Sequence, residues 1–368
     1  MTAEPNVQIE PFKLSRNRVW RTYAGGEFLE RWQGGGSPAD SSFPEEWVAS
    51  TVIASNAGRE DIVEGLSEIA LKDGSSITLK DLIAMHPAEL LGPEHMAQYG
   101  QETALLVKVL DAGERLTIQV HPDREFAQSA FQSRFGKTEA WYILGGRTID
   151  GEEPYVLFGF KPGVTREIWQ ALFDKQDIDG MRDALHKIPV RAGDVFLVEG
   201  GVPHAIGSGC FLIEIQEPTD YTLRVERTTP RGLVLADKAC HQGLGFEKMM
   251  ECFHYEALDE QETLRRWKKE PALVRHTEAG SEYALISKSH TDRFSMRLLD
   301  IHTELAVDGG GTFAIAIVVS GSGSVGWQGQ EREIGQADEF FIPAALKKTV
   351  WKNSGEAPLN VILCYPPE

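Results

Sequence analysis

Four polar side chains stand out against the apolar runs that carry them. Gln119 and His121 lie two residues apart in "LTIQVHPD", Glu139 opens the next apolar run in "GKTEAWYIL", and His204 follows a Gly-Gly turn in "GDVFLVEGGVPHAIG". Residues at i and i+2 of a strand share a face, so Gln119 and His121 can project together. Glu139 sits just before a neighbouring strand and can approach from there. The glycines ahead of His204 let backbone pass close to the group. Two imidazoles, a carboxylate and an amide oxygen make a shell suited to a borderline divalent metal such as zinc, with one position open to water or substrate. The remaining histidines have no comparable setting.

Several cations flank these residues. Lys137 precedes Glu139 by two positions, and Lys108 alternates with Val107 and Val109 in "LLVKVL", which turns it to the polar side of its strand. Arg224 lies in "DYTLRVER" and Arg231 in "TPRG". In a chain of net charge −18, this gathering of cations points to binding a phosphate or stabilising an enediolate.

The elements that must position them read as short strands. Candidates are 105–110, 116–120, 140–144, 155–160, 195–198, 211–215 and 222–226, then 314–319, 339–342 and 360–365. Gly, Asp and Pro punctuate them, as in antiparallel sandwiches and barrels. They do not alternate with long helices, which disfavours a parallel α/β sheet. Two helical insertions interrupt the pattern, at about 78–92 and 165–187, and each reads as a brace packed on a barrel. Thr78 is the expected cap of the first and Pro87 its break. In the second, Ile168, Trp169, Leu172 and Phe173 form an apolar stripe, and Gly180 is the expected dividing point.

A weak internal echo links "RAGDVFLVEGGVPHAIG" (191–207) to "GQADEFFIPAALKKTVW" (335–351), with no histidine in the second copy to match His204. The expected organisation is mainly β: a first barrel with the metal site and both insertions over 1–256, a linker over 257–271, and a second, metal-free barrel over 272–368.

With 42% hydrophobic and 25% charged residues, the composition is that of a globular chain with a substantial core. The acidic balance and the lack of a basic tract argue against nucleic acid and anionic membranes as partners. No apolar run approaches the roughly 20 residues of a membrane helix, and the first residues lack an apolar signal core. A cytoplasmic location is therefore expected. Cys210, Cys240, Cys252 and Cys364 form no CxxC pair and are expected as reduced thiols.

The segments "LTIQVHPD", "GKTEAWYIL" and "GDVFLVEGGVPHAIGSGCFLIEIQEPTDYTLRVE" together resemble the type I mannose-6-phosphate isomerases, zinc enzymes of the cupin superfamily. The similarity runs in weaker form from about Val19 to Arg231 and includes "EEWVAS". The resemblance implies two cupin (jelly-roll) barrels and one Zn2+ per chain held by Gln119, His121, Glu139 and His204. It implies a catalytic Arg224, with Lys137 as its partner in the chemistry, and a phosphosugar substrate near Glu46, Lys108, Thr117 and Arg231. Where many members read Asn-His-Lys-Pro, this chain is read as "GFKPG", which leaves Lys161 on the substrate side and no histidine there. The implied reaction interconverts mannose 6-phosphate and fructose 6-phosphate through a cis-enediol, with Lys137, Glu46 or a zinc-bound water moving the proton. Monomer and homodimer both fit. The competing readings are an isomerase of a related, unphosphorylated sugar, a non-catalytic sugar-binding or regulatory cupin, and a metal-dependent dioxygenase. The ligand quartet with Lys137 and Arg224 speaks against the second, and Gln119 against the third.

Overall fold

Strict alternation along the strands builds the molecule, a computed structural model of which describes residues 8–56 and 58–367. In the strand Leu106–Asp111, Val107 and Val109 point to one side, while Lys108 and Leu110 point to the other. The same division recurs in Cys210–Gln216, where Ile213 and Ile215 oppose Leu212 and Glu214. Both strands therefore serve two cores at once, as a central strand buried on both faces must.

The chain is mainly β with short helices. A seven-stranded sheet, including Leu106–Asp111, Glu139–Gly146, Val195–Val198 and Cys210–Gln216, faces a five-stranded sheet that holds Gln119–Val120, Tyr155–Phe160 and His204–Ile206. Leu110, Trp141, Phe158 and Phe196 fill the space between them. A second seven-stranded sheet, including Ala314–Ser320, Glu339–Ile342 and Leu359–Tyr365, faces a four-stranded one across Val325, Phe340 and Trp351. The two seven-stranded sheets then share a core of Val107, Val109, Ile213, Ile315, Ile317 and Ile362. The echo in the sequence has a spatial counterpart. Val195–Val198 lies in a seven-stranded sheet and leads to His204–Ile206 in the smaller sheet, just as Glu339–Ile342 leads to Lys348–Asn353.

The first insertion forms as its local signals require. The Thr78 hydroxyl accepts from the Asp81 N–H and starts Leu79–Met85; Pro87 then opens a new helix, Pro87–Leu91. Leu79, Leu82, Ile83, Leu90 and Leu91 join the core shared by the large sheets. The second insertion departs from expectation in three respects. The division falls at Gln176, which takes a positive φ of 50°, and at Asp177, which caps Ile178–Asp183; Gly180 lies inside that helix. Ile168 is exposed, so the buried stripe rests on Trp169 and Phe173. From Leu185 the chain is strand, Leu185–Pro189, because hydrogen bonding to Tyr155–Phe160 replaces the helix. Within 257–271 lie a helix, Glu260–Trp267, and a short strand, Lys268–Lys269, that pairs with Val195–Phe196.

The strand Phe12–Lys13 joins the second seven-stranded sheet, with Phe12 opposite Phe341. All four cysteines are buried free thiols. Among the described residues no helix is long and apolar enough to cross a membrane. Phe12 is 4% exposed and belongs to the shared core. Phe12→Ala should therefore lower the unfolding free energy by about 3 kcal/mol, read as a drop in the urea midpoint at unchanged slope.

Candidate metal centre

Opposing sheets of the first sandwich deliver the polar cluster. His204 begins its strand directly opposite Gln119. Glu139 opens the strand Glu139–Gly146 in the facing sheet. The turn before His204 is drawn close to the cluster. Gly201 adopts φ +86°, its N–H donates to the His121 carbonyl at 2.8 Å, and a Cβ on Gly200 would come within 2.5 Å of the Asp123 backbone. Glycine is required there for steric reasons.

Backbone carbonyls orient both rings. His121 Nδ1 donates to the Tyr221 carbonyl at 2.8 Å, and His204 Nδ1 to the Val202 carbonyl at 2.9 Å. A carbonyl can only accept, so each ring carries its proton on Nδ1 and turns an Nε2 lone pair inward. His121 Nε2 lies 3.2 Å from Glu139 Oε2, and His204 Nε2 lies 3.5 Å from Glu139 Oε1. The Gln119 amide is 3.3 Å from His204 Nε2, and either of its ends can face that point. Lys137 Nζ is 2.8 Å from both His121 Nε2 and Glu139 Oε2. The Trp141 indole donates to Glu139 Oε1 at 3.0 Å.

These groups are all buried, and their charge states follow. Burial, and then the Lys137 ammonium, push His121 down to about 3. Burial likewise lowers His204. Burial alone would raise Glu139, but the Lys137 ammonium outweighs it and holds the carboxyl well below its usual range. Neutral imidazoles beside an ionised carboxylate are the state that metal ligation requires. The ligand atoms of His121, Glu139 and His204 lie within 4.8 Å of one another and could hold one metal ion.

Beside the cluster, a small space of about 40 Å³ is lined by Lys108, Thr117, Gln119, Lys137 and Arg224. Its walls carry further charge. Lys108 Nζ is 3.2 Å from Glu214 and 3.9 Å from Glu45. Arg21 reaches Glu45 at 2.9 Å and Asp220 at 3.3 Å, and the Tyr23 hydroxyl donates to Glu45 at 2.8 Å. Burial opposes ionisation of Glu45, yet Arg21 and Lys108 pull it down to about 2. Glu214 is raised, first by burial and then by the nearby Glu139 carboxylate. Arg224 donates to the carbonyls of Ala239 at 2.9 Å and Thr222 at 3.4 Å, and makes no ion pair among the described residues.

Eight of the residues singled out in the sequence thus meet: Gln119, His121, Glu139, His204, Lys137, Lys108, Thr117 and Arg224. Three do not. Glu46 turns to the opposite face of the strand Glu45–Val48, where it meets Arg18, Gln33 and the Asn17 N–H; its neighbour Glu45 lines the space instead. A shift of one position in a strand reverses every side chain. Lys161 follows the end of the strand Tyr155–Phe160, where its N–H donates to Ala184 in the turn towards the second insertion, and it does not line the space. Arg231 stands on the rim, its side chain 57% exposed and 3.6 Å from Glu114, while Thr229 and Pro230 before it line the wall. Arg21, Tyr23, Glu45, Glu214 and Asp220 complete the site and escaped the sequence reading. Glu214 had a legible signal: a carboxylate in the apolar run "FLIEIQ" demands a buried partner, and Lys108 lies opposite it in register.

Residues 63–138 match the model of the type I phosphomannose isomerase catalytic domain. The Bacillus subtilis protein named "Probable mannose-6-phosphate isomerase GmuF" is 30% identical over 248 residues, covering 67% of this chain and 70% of that protein. The Streptococcus mutans mannose-6-phosphate isomerase is 35% identical over 157 residues, 42% of this chain and 47% of that enzyme. The crystal structure of a Bacillus subtilis mannose 6-phosphate isomerase superposes with a TM-score of 0.74 at 23% identity, over 96% of this chain and 99% of that one, a likeness of fold. With the extent of its match to GmuF, the chain belongs to the type I phosphomannose isomerase family.

Proposed function

We propose that this chain interconverts mannose 6-phosphate and fructose 6-phosphate through a cis-enediol(ate), with one zinc ion held by Gln119, His121, Glu139 and His204. The observation that carries the reading is the pair of neutral imidazoles, each turned by a backbone carbonyl so that Nε2 faces the ionised Glu139. A set of nitrogen, carboxylate and amide donors suits zinc and leaves room for a substrate oxygen. When bound, such an ion supplies Lewis acidity to a carbonyl or alkoxide oxygen.

The chain's own residues account for the remaining chemistry. An aldose–ketose isomerase moves a proton between C2 and C1 and must hold charge on both oxygens. Lys137 is the side chain best placed to handle that proton, because its amine touches two of the ligands and lines the inner space. Arg224, with its guanidinium uncommitted to any carboxylate, offers positive charge where the enediolate oxygens develop theirs. Lys108 is fixed by Glu214 and Glu45, and with Thr117 it orients the hydroxyls. The buried walls keep bulk water from the intermediate.

Two measurements test this. His121→Ala should abolish both stoichiometric zinc, measured by elemental analysis, and turnover of mannose 6-phosphate in a coupled assay; full turnover without zinc would refute the assignment. Lys137→Met should retain the metal yet lower kcat by about 10²–10⁴-fold, the usual worth of a positioned acid–base group. Undiminished kcat in that variant removes Lys137 from the chemistry.

A further inference from the structure

The inner space beside the cluster is small, about 40 Å³, against about 490 Å³ for the outer cavity. It suits the reacting end of a hexose phosphate better than the whole molecule. The space adjoins the outer cavity across the shared residues Arg21, Thr22, Asp220 and Arg224. That outer volume lies in the range of small-molecule sites.

On the outer wall stands Lys238, in the short helix Asp237–His241. Its ammonium makes no hydrogen bond or close ion pair among the described residues, although the Glu60 carboxylate on the same wall lies near enough to feel its charge. Further in, Arg21 is committed to Glu45 and Asp220 and Lys108 to Glu214, while Arg224, which lines both spaces and makes no ion pair among the described residues, is the cation assigned above to the enediolate oxygens. The helix of Lys238 is tied to the inner site, since the Ala239 carbonyl accepts from Arg224 at 2.9 Å and Gln242 donates to the Asp220 carbonyl at 3.1 Å. In a chain of net charge −18, a dianion entering the outer cavity needs a local cation there.

We propose that Lys238 takes the phosphate end of the substrate in the outer cavity, opposite the carbons that react at the cluster. This rests on the phosphosugar isomerase reading and assigns its specificity for a phosphorylated sugar to the 237–241 helix. Lys238→Ala should raise KM for mannose 6-phosphate about tenfold to a hundredfold, the loss of one charge-assisted hydrogen bond, with kcat changed less than about twofold. Competitive inhibition by inorganic phosphate should weaken in parallel, and Lys238→Arg should restore both. Unchanged KM and phosphate inhibition, or a fall in kcat alone, overturns the subsite while leaving the isomerase reading intact. Should the wild-type protein turn over no phosphosugar, the isomerase reading falls. Phosphate titration followed by phosphorus NMR then decides the subsite: weaker binding to Lys238→Ala upholds it, and equal binding refutes it.

Discussion

Charge buried inside an apolar sandwich is the constraint on which the rest of this structure depends. Lys108, Lys137 and Arg21 lie beside Glu45, Glu139, Glu214 and Asp220, nearly all of them screened from solvent by the strands that carry them. An ionised group removed from water is costly unless a partner of opposite sign and hydrogen bonds compensate it. Each carboxylate here meets a cation; the pairing holds Glu45 and Glu139 ionised, while burial and the neighbouring Glu139 prevail at Glu214. Removing one member strands another, which makes the layer rigid. That rigidity suits the role proposed for the site, the stabilisation of charge that appears only briefly on a substrate.

Much of this was legible in the amino-acid order. The i, i+2 spacing placed Gln119 beside His121, and the Gly-Gly turn brought His204 to them, because strand periodicity and glycine geometry are local properties. The strands 155–160, 195–198 and 339–342 fall where the apolar runs and turn residues predict. Glu46 was less readable. Adjacent glutamates in "EEWV" differ only by which face of the strand each takes, and that depends on pairing with Leu106–Asp111. Arg21 and Tyr23 reach the site from a segment without a strong local pattern, through contacts more than 20 residues distant. Gly180 was overruled by Asp177, whose side chain accepts from the Gly180 N–H and so recruits the glycine into the helix it was expected to break.

The two sandwiches differ in what they enclose. The first surrounds ionised groups with Trp141, Phe158 and Phe196. The second closes on Phe340, Trp351 and aliphatic side chains. Lys348 stands at the position that corresponds to His204 in the repeated pattern, and it is exposed. The second sandwich thus contributes a large apolar face against which the first is braced, and the helices Leu79–Met85 and Pro87–Leu91 extend that contact.

The strand Phe12–Lys13 covers the outer edge of Glu339–Ile342, a strand more than 300 residues later in the chain. On a ribosome it emerges more than 300 residues before its partner and must wait for it. Until then, the main-chain groups at that margin are available to any other extended segment. Completion of that edge of the second sheet is thereby coupled to the synthesis of Glu339–Ile342, and Phe12–Lys13 acts as a late clasp on it.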